Sequence, residues 1–137
     1  MTAGRALALV ALAAAAALGL AALRGFRMRR AAGPAEIAVA DLGLELMAGC
    51  CAFIVFTSAA CRPCKNALRV VEAAARVAAS PTEVAAVDAV ERSDLAVRYD
   101  VRTVPTTFLV TASGRVVDRW RGVPDPGEVR AALGRVA

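Results

Sequence analysis

The sequence predicts an α/β fold, in which helices flank a central mixed β-sheet of about four strands, with one transmembrane helix in front of it. Strand-like and helix-like stretches alternate between residues 36 and 137, which is typical of a layered domain. An uncharged run of 18 residues, 6–23, precedes them. The chain has 137 residues, enough for one small domain and an appendage. We therefore divide it into a membrane anchor with a basic flank (1–30), a linker (31–35) and the domain (36–137).

The uncharged run is close to the length that a membrane requires. A helix of this size reaches ~27 Å, just short of a hydrocarbon core of ~30 Å. One arginine precedes the run, whereas four arginines follow it in the seven residues "RGFRMRR". This order favours a retained single-pass anchor over a cleaved signal peptide, and the positive-inside rule places the domain in the cytoplasm. The alternatives are a cleaved peptide with unusual flanks and a domain outside the cytoplasm.

The predicted strands differ in how apolar they are. Residues 51–58, "CAFIVFTS", are apolar on both faces, as is typical of a central strand. Residues 83–89, "EVAAVDA", suit a second core strand, parallel to the first if the helix between them crosses over right-handed. "TTFLVT" (106–111) and "RVVDRW" (115–120) flank a turn that contains glycine, and this predicts an antiparallel hairpin. Residues 37–39 predict a short edge strand.

The predicted helices complete the order βαβαβαββα. Apolar residues repeat at helical spacing over 67–78, and Pro81 ends that helix. An aspartate is expected to cap a helix over 41–49, and a serine to cap a short one over 93–99. The last helix covers 126–136. This alternation predicts helices on both faces of the sheet.

The net charge argues against one class of partner. The chain has 17 basic and 12 acidic residues, and five of the arginines lie in the first 30 residues, which contain no acid. The remainder is therefore neutral, and we expect no nucleic-acid partner. The chain also contains no histidine. This excludes Ser-His and Cys-His catalysis, and zinc sites that need an imidazole.

Two cysteines, Cys61 and Cys64, stand where the central strand ends and a helix begins. A helix N-terminus favours negative charge, so Cys61 should ionise more readily than a free cysteine, and Arg62 adds a positive charge beside it. Pro63 is tolerated in the first helical turn. Cys64 lies one turn further on, where its sulfur can attack a mixed disulfide on Cys61. The pattern predicts thiol–disulfide exchange, although structural disulfides, inert thiols and metal sites use the same spacing.

With these residues in place, the sequence resembles the thioredoxin family. The segment "YDVRTVPTTFLVTASGRVVDRWRG", 99–122, is similar to the family's Tyr–x–Val/Ile–Arg–x–Ile/Val–Pro–Thr segment and the hairpin that follows it. The resemblance covers residues 36–137. It implies a cis peptide bond before Pro105, which would lie against the active-site disulfide. It also implies that the backbone of Val104 binds an extended substrate segment.

The sequence departs from the family pattern at three positions. Ala60 stands in place of the tryptophan before the first cysteine, and Arg62 stands in place of glycine. Val55 occupies the position of a buried aspartate, six residues before Cys61. Without that carboxylate, no evident group takes the proton from Cys64 in the second exchange step. We therefore expect a slower or more dedicated enzyme than a general reductase.

The leading prediction is a membrane-tethered thiol–disulfide oxidoreductase that uses no cofactor and binds no metal. Its catalytic residues would be Cys61 and Cys64, and its substrate-binding residues Arg62, Pro63, Val104 and Pro105. Its partners would be protein disulfides or dithiols, a redox partner, and a membrane contacted through residues 6–23. Two other functions stay open: a non-catalytic module that holds a soft metal ion such as Cu(I) through the same cysteines, and an interaction module whose cysteines only stabilise it.

A second cysteine pair, Cys50 and Cys51, opens the predicted central strand. As small apolar residues they need no function. Alternation along a strand points them to opposite faces, so at most one should be accessible. The alternatives are a second redox pair, a resolving thiol for Cys61, and a four-cysteine zinc site, in which adjacent ligands on a strand would face one ion poorly.

Overall fold

The N-terminal region forms one long helix. The computed structural model describes the backbone of residues 2–31 and 33–136, and the side chains of residues 7–22 and 33–136. Helix α1, Thr2–Ala31, belongs to the first of two compact units. Among the described residues, no helix combines the length and the apolar character that crossing a membrane demands. The predicted transmembrane helix is therefore not supported.

The second unit, Gly33–Ala137, is a mixed four-stranded sheet with helices around it. The strand order is β2-β1-β3-β4, where β1 pairs parallel with β2 and antiparallel with β3, and β3 pairs antiparallel with β4. This confirms the predicted α/β architecture. The elements are β1 (Cys51–Thr57), α2 (Arg62–Arg76), β2 (Thr82–Asp88), α3 (Ser93–Arg98), β3 (Thr106–Thr111), β4 (Val116–Arg121) and α4 (Pro126–Leu133).

The central strand β1 divides the core into two layers. Phe53 and Val55 point to one face and pack in a cluster with residues of α2 and α4. Ile54 and Phe56 point to the other face and pack in a cluster with residues of α3. Each of these four side chains is fully buried, and burying one of this size contributes about 1.5–3 kcal/mol. The run that is apolar on both faces is therefore a strand covered on both sides, as predicted.

The edge strand predicted over residues 37–39 is absent from the described part of the chain. Glu36 forms only an isolated bridge with Arg115, next to the hairpin turn. Ile37 is nevertheless buried, and the N–H of Ala38 donates to the Tyr99 hydroxyl at 3.0 Å. The segment is thus held by its side chains and by single hydrogen bonds, and not by a strand ladder.

The helix predicted over residues 41–49 is also wrong. A short 3-10 turn, Val39–Leu42, ends at Gly43 with φ of 69°, and Ala38 precedes it where a cap would stand. Leu42, the last residue of this turn, and Leu44 and Leu46 beyond it are half-buried against the α3 layer, while the residues between them are exposed. This period of two belongs to extended chain, and it outweighs the helical propensity of leucine.

Helix ends also differ from the prediction. Helix α2 stops at Arg76, five residues before Pro81, and α4 stops at Leu133. Ser93 is the first helical residue of α3, and Arg92 occupies the cap position without a side-chain hydrogen bond. Differences of a few residues at helix ends are expected because terminal turns are weakly determined by local sequence.

The hairpin turn contains a glycine that no other residue should replace. Gly114 has φ of 85°, and a Cβ atom there would overlap the carbonyl oxygen of Ile37. The Ile37 N–H donates to the Gly114 carbonyl at 2.8 Å, so the two segments cannot easily separate. We expect Gly114→Ala to lower the free energy of unfolding by about 3 kcal/mol, because left-handed strain of about 1–2 kcal/mol adds to the clash.

The matched control for Gly114→Ala is Gly49→Ala. Gly49 has φ of 83° but open space around its Cα, so this variant should lose only the left-handed strain of about 1 kcal/mol. Urea unfolding of both variants measures the difference. Equal losses would show that the contact with Ile37 contributes nothing.

Candidate functional site

Cys61 and Cys64 lie at the junction between β1 and α2. Cys61 is the N-cap residue of α2 and has an extended backbone, with φ of −87° and ψ of 103°. Its sulfur is bonded to that of Cys64, with an S–S distance of 2.05 Å and a Cα–Cα distance of 5.4 Å. Cys61 is half-exposed, whereas Cys64 is only 3% exposed. The pair is therefore asymmetric, with one sulfur open to a partner and the other shielded.

Arg62 and Pro63 occupy the first turn of α2 between the two cysteines. Both side chains are exposed, so they flank Cys61 on the solvent side. Proline is compatible with this turn because the first helical N–H groups have no intrahelical partner. The same orphan N–H groups favour negative charge on a sulfur at the N-cap.

The loop before β3 reaches the same edge of the sheet. The Val104–Pro105 bond is cis, as the family resemblance implies. Thr106, the next residue, pairs with Phe56 near the end of β1, and the cysteine segment leaves the sheet just beyond that point. The Gly122 N–H donates to the Pro105 carbonyl at 2.8 Å. The register therefore brings the cysteine pair and the Val104–Pro105 loop to one edge.

The layer beneath α2 contains no carboxylate at the position of the family's aspartate. Cys64, Ala67 and Val71 share one buried face of α2. Val55 is fully buried in the cluster that also contains Ala67 and Val71. The structure thus places Val55 below the helix whose first turn contains Cys64. Burial among apolar residues disfavours the thiolate form of Cys64.

Thr107 is a polar residue in the same layer, and it belongs to none of the motifs that predicted the site. It lies opposite Val55 in the β1–β3 register, and its side chain is fully buried. Within the described residues, its hydroxyl oxygen has no hydrogen-bond partner. The signal in the sequence was a threonine at an inward-facing position of "TTFLVT", two residues before the buried Leu109.

A charged cluster fixes the start of the loop. The Arg102 Nε–H donates to Asp100 at 2.7 Å, and this hydrogen bond holds the pKa of Asp100 below its usual value. Arg119 donates to the Asp100 backbone carbonyl, and its guanidinium lies 5.1 Å from the centre of the Phe108 ring. Burial lowers the pKa of Arg119, and Arg121 lowers it further. No pattern in the sequence predicted a buried arginine.

The second cysteine pair lies at the opposite end of β1. Cys51 is fully buried with its sulfur 3.2 Å from the Thr82 hydroxyl, and Cys50 is half-buried. Both are free thiols. A strand of seven residues is ~20 Å long, so neither thiol can resolve a disulfide on Cys61. The alternative of a four-cysteine zinc site is wrong for the same reason, because the two cysteine pairs lie at opposite ends of β1. In the described part of the chain, no three potential ligands among His, Cys, Asp and Glu converge.

Comparison with known proteins gives one consistent answer. The profile of the thioredoxin family matches residues 47–133, more than half of the chain. A mutant thioredoxin from Halobacterium salinarum is 29% identical, with a TM-score of 0.55 over 63% of this chain and 74% of that one. The thioredoxin of Fasciola hepatica is also 29% identical, with a TM-score of 0.55 over 66% of this chain and 84% of that one.

A more distant relative shares the fold. Thioredoxin NaTrxh from Nicotiana alata is 22% identical, with a TM-score of 0.58 over 71% of this chain and 82% of that one. No curated protein sequence matches. The family profile, the cysteine pair at the strand–helix junction and the solved relatives agree: the chain belongs to the thioredoxin family, and its activity is that of a thiol–disulfide oxidoreductase.

Proposed function

We propose that the chain exchanges disulfides with a restricted set of protein substrates through Cys61 and Cys64. The observation that carries this proposal is the asymmetry of the pair, since Cys61 is half-exposed at a helix N-terminus while Cys64 is buried. Thiol–disulfide exchange requires one accessible thiolate and one shielded thiol that acts second. Absence of a carboxylate at position 55 supports a dedicated enzyme, because the second step lacks the family's proton acceptor.

The proposed reaction with a substrate disulfide has two steps. The Cys61 thiolate attacks one substrate sulfur, which forms a mixed disulfide, and the other substrate sulfur leaves as a thiolate and takes a proton from water. Cys64 then loses its proton and attacks the Cys61 sulfur. The Cys61–Cys64 bond forms, the bond to the substrate breaks, and the second substrate sulfur leaves. The enzyme is oxidised by two electrons and the substrate is reduced by two; the reverse sequence oxidises a dithiol.

We assign the substrate-binding surface to the residues around the exposed sulfur. Arg62 and Pro63 flank Cys61, and Val104 and Pro105 lie at the same edge of the sheet. An extended substrate segment can pair with the backbone of Val104 as an added strand does. Such pairing would hold the substrate sulfur near Cys61 without a deep pocket.

Alkylation of the reduced protein tests this proposal. Cys61 should react with iodoacetamide fastest, with a midpoint in its pH profile about one unit below the ~8.5 of a free cysteine, while Cys64 and Cys51 should react slowly because they are buried. Peptide mapping by mass spectrometry assigns each rate. Slow labelling of Cys61 would contradict the proposal, and it would favour the metal-binding or purely structural function.

The Arg62→Gly variant separates two causes of that reactivity. If the Arg62 charge adds to the effect of the helix N-terminus, the alkylation midpoint of Cys61 should rise by about half a pH unit. Lys65→Gly removes an exposed cation from the same turn and serves as the matched control. An unchanged midpoint in Arg62→Gly would show that the helix N-terminus alone sets the reactivity.

Membrane attachment through residues 6–23, with the domain in the cytoplasm, is a proposal that rests on the sequence alone. Its support is the position of the arginines, with one before the uncharged run and four directly after it. A reporter enzyme fused after Ala137 that is active only in the cytoplasm tests the location. Extraction of the protein by alkaline carbonate would argue against an anchor.

A further inference from the structure

Thr107 is the feature of the site that a purely structural role explains least well. Its side chain is fully buried, and its hydroxyl makes no hydrogen bond to any described residue. A buried hydroxyl without a partner destabilises a protein, whereas valine has nearly the same shape and incurs no such penalty. An unpaired threonine on a core strand therefore calls for a state of the protein in which the hydroxyl has a partner.

The register of the sheet places this hydroxyl beneath the active site. Thr107 pairs with Val55 on β1 and with Trp120 on β4. Directly paired residues point to the same face, and Val55 and Trp120 both belong to the cluster under α2 and α4. Cys64 lies on the buried face of the first turn of α2. Thr107 and Cys64 therefore contribute to the same layer from opposite sides.

Among the described residues, this layer has buried hydrogen-bond donors without partners, and its carboxylate Asp118 is already engaged. The indole N–H of Trp120 also has no partner among the described residues. Asp118, the carboxylate further along this face of β4, is already paired with Arg135 and bonded to the Arg119 N–H. Val55 contributes no polar group. An acceptor that exists in only one redox state fits this arrangement.

We propose that the Thr107 hydroxyl donates a hydrogen bond to the Cys64 thiolate during the second exchange step. The proposal rests on the assignment of Cys64 as the resolving residue. In the disulfide form, the Cys64 sulfur is bonded and uncharged, so the hydroxyl has no anion to stabilise. When the disulfide opens and the Cys64 proton passes to water, a buried thiolate appears. A donated hydrogen bond favours that charged form.

This role differs from that of a carboxylate base. Threonine does not accept the proton at neutral pH, so it lowers the free energy of the thiolate and leaves the proton to water. The attack itself is unchanged: the Cys64 sulfur bonds to the Cys61 sulfur, and the substrate sulfur leaves with the electron pair of the broken bond. Where the family has an acid–base group, this chain thus has the apolar Val55 and, on the neighbouring strand, Thr107 as a hydrogen-bond donor to the thiolate.

A two-step colour assay tests the proposal. The reduced protein, with Cys50→Ser to remove the half-exposed free thiol, is mixed with an aromatic disulfide that releases one coloured thiol in each step. In Thr107→Val, the first release should be unchanged, and the second should slow about tenfold, since hydrogen bonds to charged groups are among the stronger ones. The pH midpoint of the second release should rise by about one unit.

One further variant and one further measurement make the outcome decisive. Thr107→Ser retains the hydroxyl and should restore both the rate and the pH midpoint, although it loses a methyl group and some stability. Thr107→Val should also raise the melting temperature of the oxidised form, because it removes an unpaired polar atom. An unchanged second release in Thr107→Val, or one as slow in Thr107→Ser, would overturn the proposal.

The assignment of Cys64 can fail separately from that of Thr107. In Cys64→Ser, the second release should disappear altogether. If it persists, another thiol resolves the mixed disulfide and the proposed function itself is wrong. If it disappears while Thr107→Val behaves like the parent protein, the function stands and only the role of Thr107 is refuted.

Discussion

Replacing Cys64 with serine should stop turnover of a protein disulfide and leave the substrate covalently attached to Cys61. Cys61 can still attack, but serine cannot break the mixed disulfide, so the reaction halts after its first step. We expect turnover to fall about 1,000-fold or more, as is usual when a residue of a catalytic unit is removed. The trapped species should be visible as a mass increase that a reductant reverses.

Matched variants identify the trapped bond. Cys61→Ser should lose turnover equally but trap nothing, because the thiol that attacks the substrate has been removed. Cys50→Ser should turn over like the parent protein, and Cys50→Ser combined with Cys64→Ser should trap the substrate as Cys64→Ser alone does, since Cys50 lies at the far end of β1. A trapped substrate that maps to Cys50, or substantial turnover in Cys64→Ser, would contradict the assigned order of attack.

The second large effect is expected for Val55→Asp. The new carboxylate would lie in a fully buried apolar cluster, so the domain should lose about 3 kcal/mol of unfolding free energy or more at neutral pH. Burial raises the pKa of such a carboxyl above its unfolded value. The loss should therefore be smallest at low pH and grow as pH rises through the raised pKa.

The same variant should speed the second exchange step. A carboxylate beneath the first turn of α2 can accept the proton of Cys64. General-base catalysis of this kind typically increases a rate by about 100-fold or more. Burial of the carboxylate should reduce this gain in the rate of the second step. Stopped-flow release of the substrate from the Cys61 mixed disulfide measures it, most sensitively near neutral pH. Val55→Asn is the matched control, because it is similarly polar and cannot take a proton.

The Val55→Asp and Val55→Asn variants together distinguish three explanations. Faster release in Val55→Asp alone supports the view that the missing carboxylate limits the parent enzyme. Equal acceleration in Val55→Asn would point to loosened packing around α2 as the cause. Unchanged release in a folded Val55→Asp would show that Cys64 already has an adequate proton acceptor.

Much of the fold could be predicted because the apolar pattern of the sequence is compatible with few arrangements of strands and helices. A run that is apolar on both faces must be covered on both sides, and a cysteine pair followed by apolar residues at helical spacing can only begin a helix. The β1–β2 and β3–β4 pairings followed from a crossover helix and a hairpin with a turn glycine, whereas the antiparallel pairing of β1 with β3 was not predicted. The cis bond at Pro105 came from the family resemblance and not from local spacing.

The remaining errors have local physical causes. Leu42, Leu44 and Leu46 lie in a stretch whose residues favour a helix, and only the neighbouring α3 layer makes the extended form better. Thr107 was missed because inward orientation can be inferred from alternation, whereas the absence of a hydrogen-bond partner cannot. Arg119 was missed because arginine is ordinarily exposed, and its position depends on Asp100 and Phe108, which are distant in sequence.

The docking of residue 37 onto the hairpin has a consequence for where the independently folding unit begins. The family profile starts at residue 47, yet Ile37 is buried in the α3 layer and Leu44 packs against it. A protein that started at the family boundary would keep both cysteines of the site and all four strands. It would nevertheless expose a strip of core beside α3 to water. The family profile therefore covers the cysteine pair and the four strands, while the physical domain extends about ten residues further towards the N-terminus.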